Sequence, residues 1–224
     1  QKSGNPMSET AIHNLFSTPV WVIDLEPSAY EKLNADILRN LDEMMEERPS
    51  VPVGGTLQTD NDLHTFDEFS DLTDRILEGT EAVLKFLQID YKNFEITGCW
   101  ANINPVGGMN TPHTHPNNYL SGVYYVQTMG EADGIFFSDP RPQATVVRPT
   151  VKQETMYTGN EVTMDVKEGR LILFPAWLSH GVRPNRGNRD RISVSFNVMF
   201  PDFTEEMSKP LWSPTVRLKS RAKM

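Results

Sequence analysis

Two periodicities divide this chain. Before residue 94, apolar residues recur mainly at the three- and four-residue spacing of helices; after it they alternate with polar residues at the two-residue spacing of strands. An opening stretch, Ile12 to Asp24, reads as a strand that Pro19 shortens or confines to a sheet edge. Leu33, Ile37, Leu38, Leu41 and Met44 then mark one face of a helix over about 28–47, opened by the capping-box pattern Ser28-x-x-Glu31 and stopped by Pro49. Residues 50–64, with Pro52, Gly54, Gly55 and Asp60-Asn61-Asp62, read as a loop. A second capping box, Thr65-x-x-Glu68, predicts a helix to about residue 88. Its apolar face is Phe69, Leu72, Ile76, Val83, Leu84 and Leu87, and Gly79 is its weak point.

Strands follow over 94–104, 120–127, 134–138, 162–166, 170–175 and 191–198. In the first of these, Trp100, Asn102 and Asn104 share a face. In the last, Ile192, Val194, Phe196 and Val198 face one way and Arg191, Ser193, Ser195 and Asn197 the other. Residues 141–160, rich in Pro, Thr and Gln, form a long excursion of the kind used as a lid or binding loop. At least seven short strands with tight turns predict an α+β protein with a mainly β core, a sandwich or barrel buttressed by the N-terminal helices. The expected division is a tag remnant and disordered leader over 1–10 with Met7 as natural start, a helical buttress over 11–93, the β core over 94–200, and a tail over 201–224. Leu211 and Trp212 are expected to dock on the body, while Arg217, Lys219, Arg221 and Lys223 form a solvated basic end.

Composition narrows the function more than the fold. A net charge of −9 argues against binding bulk nucleic acid, which needs a basic stripe. No apolar run approaches a membrane span and no signal-peptide pattern opens the chain. The single cysteine, Cys99, excludes an intrachain disulfide and fits a reducing compartment, so a cytoplasmic location, host or bacterial, is expected. Oligomeric state is not read from the sequence; a homodimer stays open.

The chemistry concentrates in Thr111-Pro112-His113-Thr114-His115-Pro116. In extended backbone, His113 and His115 project to one face and so toward one object. His180 closes another apolar run, and Arg191 opens the polar row eleven residues later. Each feature has a plain alternative. His-x-His at a turn serves as a hydrogen-bonding cluster, and the polar row serves as a solvent face. Burying that row without partners would cost about 1–3 kcal/mol per group, so an interior row would imply a bound ligand. His13 and His64 read as surface or structural residues.

The combination Trp100-x-Asn102, His113-x-His115-Pro116, Ser121-Gly122-Val123-Tyr124-Tyr125, Asp139-Pro140-Arg141, Phe174-Pro175-x-x-x-x-His180 and Arg191-x-Ser193-x-Ser195-Phe196-Asn197 resembles the 2-oxoglutarate/Fe(II)-dependent oxygenases. Within them it is similar to bacterial and phage proteins of unassigned substrate. The resemblance is strong over about 96–200. It implies a double-stranded β-helix of the jelly-roll or cupin kind, with Fe(II), 2-oxoglutarate and O₂ as cofactors. It implies release of succinate and CO₂, with hydroxylation of a protein or small-molecule substrate as the commonest outcome. The family's usual ligand set is two histidines and an acid in His-x-Asp or His-x-Glu, and His115 stands where the acid belongs. Three ligand sets stay open: His113, His115 and His180 together; His115 with Asn117 in the acid's place; or one histidine outside the metal shell and an unidentified group within it. The first is favoured, because imidazole suits Fe(II).

The resemblance further implies that Arg191 pairs with the distal carboxylate of 2-oxoglutarate in bidentate fashion, helped by Ser193. Tyr124 or Tyr125 and Asn102 or Asn104 would orient the cosubstrate, with only one of the adjacent tyrosines facing inward. Arg141, Asp139 and Trp177 are the candidates for substrate contact. Against them, Asp139-Pro140-Arg141 also reads as a solvated turn, and Trp177 reads more readily as core. Arg183, Arg186 and Arg189 cluster near the expected mouth, to draw in anions or as a solvated loop. The rival functions are a three-histidine cupin without 2-oxoglutarate (a thiol dioxygenase or a zinc site) and a catalytically inactive binding module.

Overall fold

The computed structural model describes residues 10–45, 49–129 and 133–207. The leader before residue 10, the end of the first helix near 47, and the tail with Leu211, Trp212 and the basic residues lie outside the described residues. The order is β1 (Trp21–Asp24), α1 (Pro27–Met44), β2 (Leu57–Gln58), two 3₁₀ turns, α2 (Ser70–Phe86), β3 (Glu95–Asn104), β4 (Asn110–His113), β5 (Leu120–Gln127), β6 (Gly134–Ser138), α3 (Gln143–Val146), β7 (Glu161–Asp165), β8 (Arg170–Pro175), β9 (His180–Val182) and β10 (Arg191–Met199). A six-stranded sheet runs β1-β8-β5-β10-β3-β2 and a four-stranded sheet runs β4-β9-β6-β7, every pairing antiparallel.

The two-residue period explains how the larger sheet is buried on both faces. Tyr124 and Val126 of β5, Leu171 and Leu173 of β8, and the Ile192–Val198 row of β10 pack in one cluster with Leu33, Ile37 and Leu41 of α1 and Leu72, Ile76 and Val83 of α2. The intervening Val123, Tyr125, Ile172 and Phe174 pack with Ile135 and Phe137 of the smaller sheet. Gly79, the supposed weak point, is where α2 touches the sheet: a Cβ there would lie 2.9 Å from Leu171 Cδ2 and 3.2 Å from Ile23 Cδ1. The missing side chain permits the close approach.

Three local expectations are corrected. Ser28 does not cap α1; Glu26 holds the N-cap position without a side-chain bond, and Pro27, with φ preset for the first turn, starts the helix. Thr65 does not open α2 either. Phe66 is extended, which splits the segment into turns at Leu63–Thr65 and Asp67–Phe69 before the helix begins at Ser70. The 50–64 stretch contains a short strand, β2, that pairs with β3. The expected opening strand is confined to β1, which begins after Pro19 and lies at a sheet edge.

Candidate metal centre

Backbone pairing assembles the three histidines. β4 runs beside β9 so that His113 lies opposite His180, and β6 places Phe137 on the other side of His180. His115 falls just past the end of β4, where its N–H donates to Ala176 O at 2.9 Å, across from the turn after β8. The result is a group in which one ring nitrogen from each of His113, His115 and His180 lies within 4.8 Å of the others. Their ring centroids are 4.5–5.2 Å apart. His113 is exposed, His115 half-buried and His180 buried. No carboxylate joins them among the described residues, and Asn117 sits exposed in a left-handed turn conformation, φ 65°.

The ring protons are placed by the backbone. His113 Nδ1 lies 2.7 Å from Thr111 O and His180 Nδ1 lies 2.8 Å from Leu178 O. A carbonyl only accepts, so in both rings Nδ1 carries a proton, and Nε2 is the nitrogen left for a metal. Burial, then the charge of nearby His113, holds His115 down at about 4. Burial pushes His180 down to about 4 as well, against the Leu178 carbonyl, which favours the protonated ring. Near neutrality these two rings are uncharged, the state in which imidazole binds metal. Three convergent ring nitrogens fit Fe(II) and also Zn²⁺.

The histidine pocket is also lined by Arg191, Ser193 and Ser195 of β10, Tyr125 of β5, and Trp100 and Asn102 of β3. The polar row of β10 is thus interior. Asn102 accepts from Gln58 Nε2 at 2.6 Å and donates to Ser195 Oγ at 2.9 Å. Asn104 turns away into bonds with Thr56 and Asn110. Asn197 accepts from Ser121 Oγ at 2.7 Å. Tyr125 Oη is buried with no hydrogen-bond partner, and burial pushes its phenol up, so it remains a donor. An orphaned donor in a pocket of this kind fits a carboxylate ligand.

Arg191 is more engaged than the sequence suggests. Its Nη1 pairs with Asp133 Oδ1 at 3.0 Å, and its Nη2 donates to Arg183 O at 3.1 Å and Gly108 O at 3.5 Å. Both side chains of the ion pair are at least 98 % buried, from relative exposures of 2 % and 1 %. Bidentate pairing through both terminal nitrogens is therefore shared with protein acceptors.

Other expected residues lie elsewhere. Tyr124 faces the helices, where its Oη donates to Asn34 Oδ1 at 2.7 Å, while Asn34 Nδ2 donates to Val126 O. Strand alternation makes this inevitable once Tyr125 faces inward. Arg141 and Asp139 bond to each other at 2.7 Å and line a separate cavity within the excursion. Trp177 is not core; it is 57 % exposed, because the turn after β8 buries its neighbours Ala176 and Leu178 instead. Arg183 pairs with Glu161 and stacks 4.3 Å over Phe136, Arg189 pairs with Glu168, and Arg186 is exposed. Sequence reasoning missed Gln58, Asn110 and Asp133. None of the three carries a periodic signal.

Residues 98–197 match the model of the family described as "Putative 2OG-Fe(II) oxygenase". No curated protein matches the chain in sequence. Solved structures are similar in fold. The non-heme alpha ketoglutarate dependent epimerase SnoN from nogalamycin biosynthesis aligns with a TM-score of 0.61 at 12% identity, covering 91% of each chain. HygX from Streptomyces hygroscopicus, with nickel and 2-oxoglutarate bound, aligns at 0.55 and 15% identity over 82% of this chain and 83% of its own. A Pseudomonas putida prolyl-4-hydroxylase aligns at 0.56 and 16% identity over 82% of this chain and 94% of its own. The family match spans all three histidines and Arg191, and the fold around them is similar to that of these solved structures.

Proposed function

We propose that the protein holds Fe(II) on His113, His115 and His180, binds 2-oxoglutarate beside it, and hydroxylates a C–H bond of a protein or small-molecule substrate. The observation that carries this reading is the set of three converging ring nitrogens within 4.8 Å, with no acid among them. Metal and 2-oxoglutarate bound in HygX support the cofactor assignment. The similar folds include an epimerase as well as a prolyl-4-hydroxylase, so hydroxylation rests on the family resemblance rather than on the fold.

When bound, the iron and 2-oxoglutarate would activate O₂, which is the oxidant, with 2-oxoglutarate giving up two electrons as it leaves as succinate and CO₂. The chain's own residues do the rest. The Thr111 and Leu178 carbonyls fix the orientation of two ligand rings. Tyr125 Oη, Ser193 and the unshared N–H groups of Arg191 would receive the distal carboxylate. Gln58 and Ser195 hold Asn102 rigid on the pocket wall. Val123, Ile135 and Phe174 exclude water from that side.

The Asp133–Arg191 pair favours one second reading, a three-histidine cupin that does not use 2-oxoglutarate, because the arginine already has a counter-ion. Anaerobic addition of Fe(II) and 2-oxoglutarate separates the two. The oxygenase reading expects a weak visible charge-transfer band and succinate formation on admitting air. Metal binding with neither signal would establish the second reading. His113→Ala, His115→Ala and His180→Ala should each lose Fe(II). Arg191→Ala leaves Asp133 buried and unpaired at a cost of about 3–5 kcal/mol. Asp133→Leu/Arg191→Met is therefore run beside it, and both should lose the band while keeping metal.

A further inference from the structure

Asp133 belongs to no ligand set considered so far, yet it is the carboxylate that touches the proposed clamp. It is held on several sides. Its Oδ2 accepts the Met129 N–H at 2.7 Å, its backbone oxygen accepts from Val166 N at 3.4 Å, and the next residue enters the β6–β7 pairing. Such a carboxylate is a fixed point of the frame rather than an arm that swings. Arg191 in turn begins β10, paired with Asn104, and has five N–H donors. Asp133 takes one on Nη1, and the Arg183 and Gly108 carbonyls take those on Nη2. The Nε–H and the second Nη1–H are not used by these contacts.

We propose that Asp133 is the positioning residue of the cosubstrate clamp: it pins the Arg191 guanidinium in the plane from which its unused N–H groups, together with Tyr125 Oη, receive a carboxylate. This rests on the 2-oxoglutarate reading above. It also assigns the charge of the site. Three neutral imidazoles leave a divalent metal's charge undiminished, and no carboxylate lines the histidine pocket among the described residues. Asp133 supplies one negative charge at the arginine, so recognition there depends on aimed donors rather than on surplus positive charge.

The test uses the full chain loaded anaerobically with Fe(II) and titrated with 2-oxoglutarate through the charge-transfer band. Fe(II) binding in the same samples reports the folded fraction, and uncoupled succinate formation gives kcat and KM. Asp133→Asn should weaken 2-oxoglutarate binding tenfold or more. Fe(II) affinity and kcat at saturating 2-oxoglutarate should stay within about twofold. Asp133→Glu, which keeps the charge but moves it by one methylene, should show a smaller loss in the same direction, and it carries the test if Asp133→Asn does not fold. An unchanged or tighter dissociation constant in the variant that folds overturns the proposal, since a tighter one would make Asp133 a competitor for Arg191. If the wild-type protein shows no 2-oxoglutarate binding, the oxygenase reading falls and this proposal with it; if only the variants behave as wild type, this proposal alone falls.

Discussion

Tyr125→Phe should raise the stability of the metal-free protein while weakening its grip on 2-oxoglutarate. Tyr125 is 1 % exposed, and its hydroxyl has no partner. Folding strips that hydroxyl of water and returns nothing. An unsatisfied buried polar group of this kind costs about 1–3 kcal/mol, and the phenyl ring keeps all of the packing against Val123, Ile135 and Phe174. For a chain of this length each kcal/mol moves Tm by about 2–4 °C, so a rise of roughly 2–12 °C is expected. With Fe(II) and 2-oxoglutarate the sign reverses. A hydroxyl donating to a carboxylate contributes about 1.5–3 kcal/mol, so its loss weakens binding roughly 10- to 150-fold. Thermal melts of both proteins, with and without ligands, read the two effects side by side. Ligand-induced stabilisation should shrink in the variant even as its starting Tm rises. A variant less stable without ligand would show that the hydroxyl is already satisfied. An equal ligand-induced shift in both proteins would remove Tyr125 from the clamp.

Two further predictions probe the frame. A Cβ at Gly122 would lie 2.2 Å from Phe196 Cζ and 2.8 Å from the Ile172 carbonyl oxygen, so Gly122→Ala should destabilise by at least about 1–3 kcal/mol, seen as a lower urea midpoint at unchanged slope. An unaltered midpoint would mean that β5 and β10 shift freely. His115 and His180 are held at about 4 from an ordinary 6.5, so between those values the unfolded chain takes up protons that the folded one refuses. The metal-free protein should therefore lose stability from these groups as pH falls below about 6.5, with the loss complete below about 4. Melts across that range should slope less steeply for His180→Gln; parallel slopes would contradict the burial argument.

What the sequence disclosed follows from what repeats. The longer strands of 94–198 announced themselves through alternation or an apolar run, unlike the short β4 and β9, and the apolar face of α2 through its spacing, because each is a local pattern imposed by one large apolar surface. That His113 and His115 face one object was legible from the two-residue period, while their meeting with His180 was implied by the family resemblance. Residues fixed by contacts between distant segments left no trace. Asp133 lies 58 positions from Arg191, and Gln58 lies 44 from Asn102. In sequence, one is an acid between two strands and the other a polar residue in a loop. The capping boxes failed for the opposite reason. They are local patterns that tertiary placement overrode, through Pro27 at one helix and the extended Phe66 at the other.

β10 shows why the site is held as firmly as the core. Its two faces do different work over the same nine residues. Ile192, Val194, Phe196 and Val198 pack in the helix-side cluster, while Arg191, Ser193 and Ser195 line the histidine pocket. Pairing on both sides sets Ser193 opposite Asn102 and Tyr125, and Ser195 opposite Trp100 and Val123. A slip of one residue would carry every apolar side chain into the pocket and every polar one into the core. Burying a side chain such as Val, Ile or Phe contributes about 1.5–3 kcal/mol, so four misplaced residues would forfeit far more than the marginal stability of a typical domain can absorb. The hydrophobic row thereby fixes the register of the polar row. Arg191, Ser193 and Ser195 reach the pocket without needing favourable energies of their own, and a pocket residue such as Tyr125 tolerates an unsatisfied group because the register is set elsewhere.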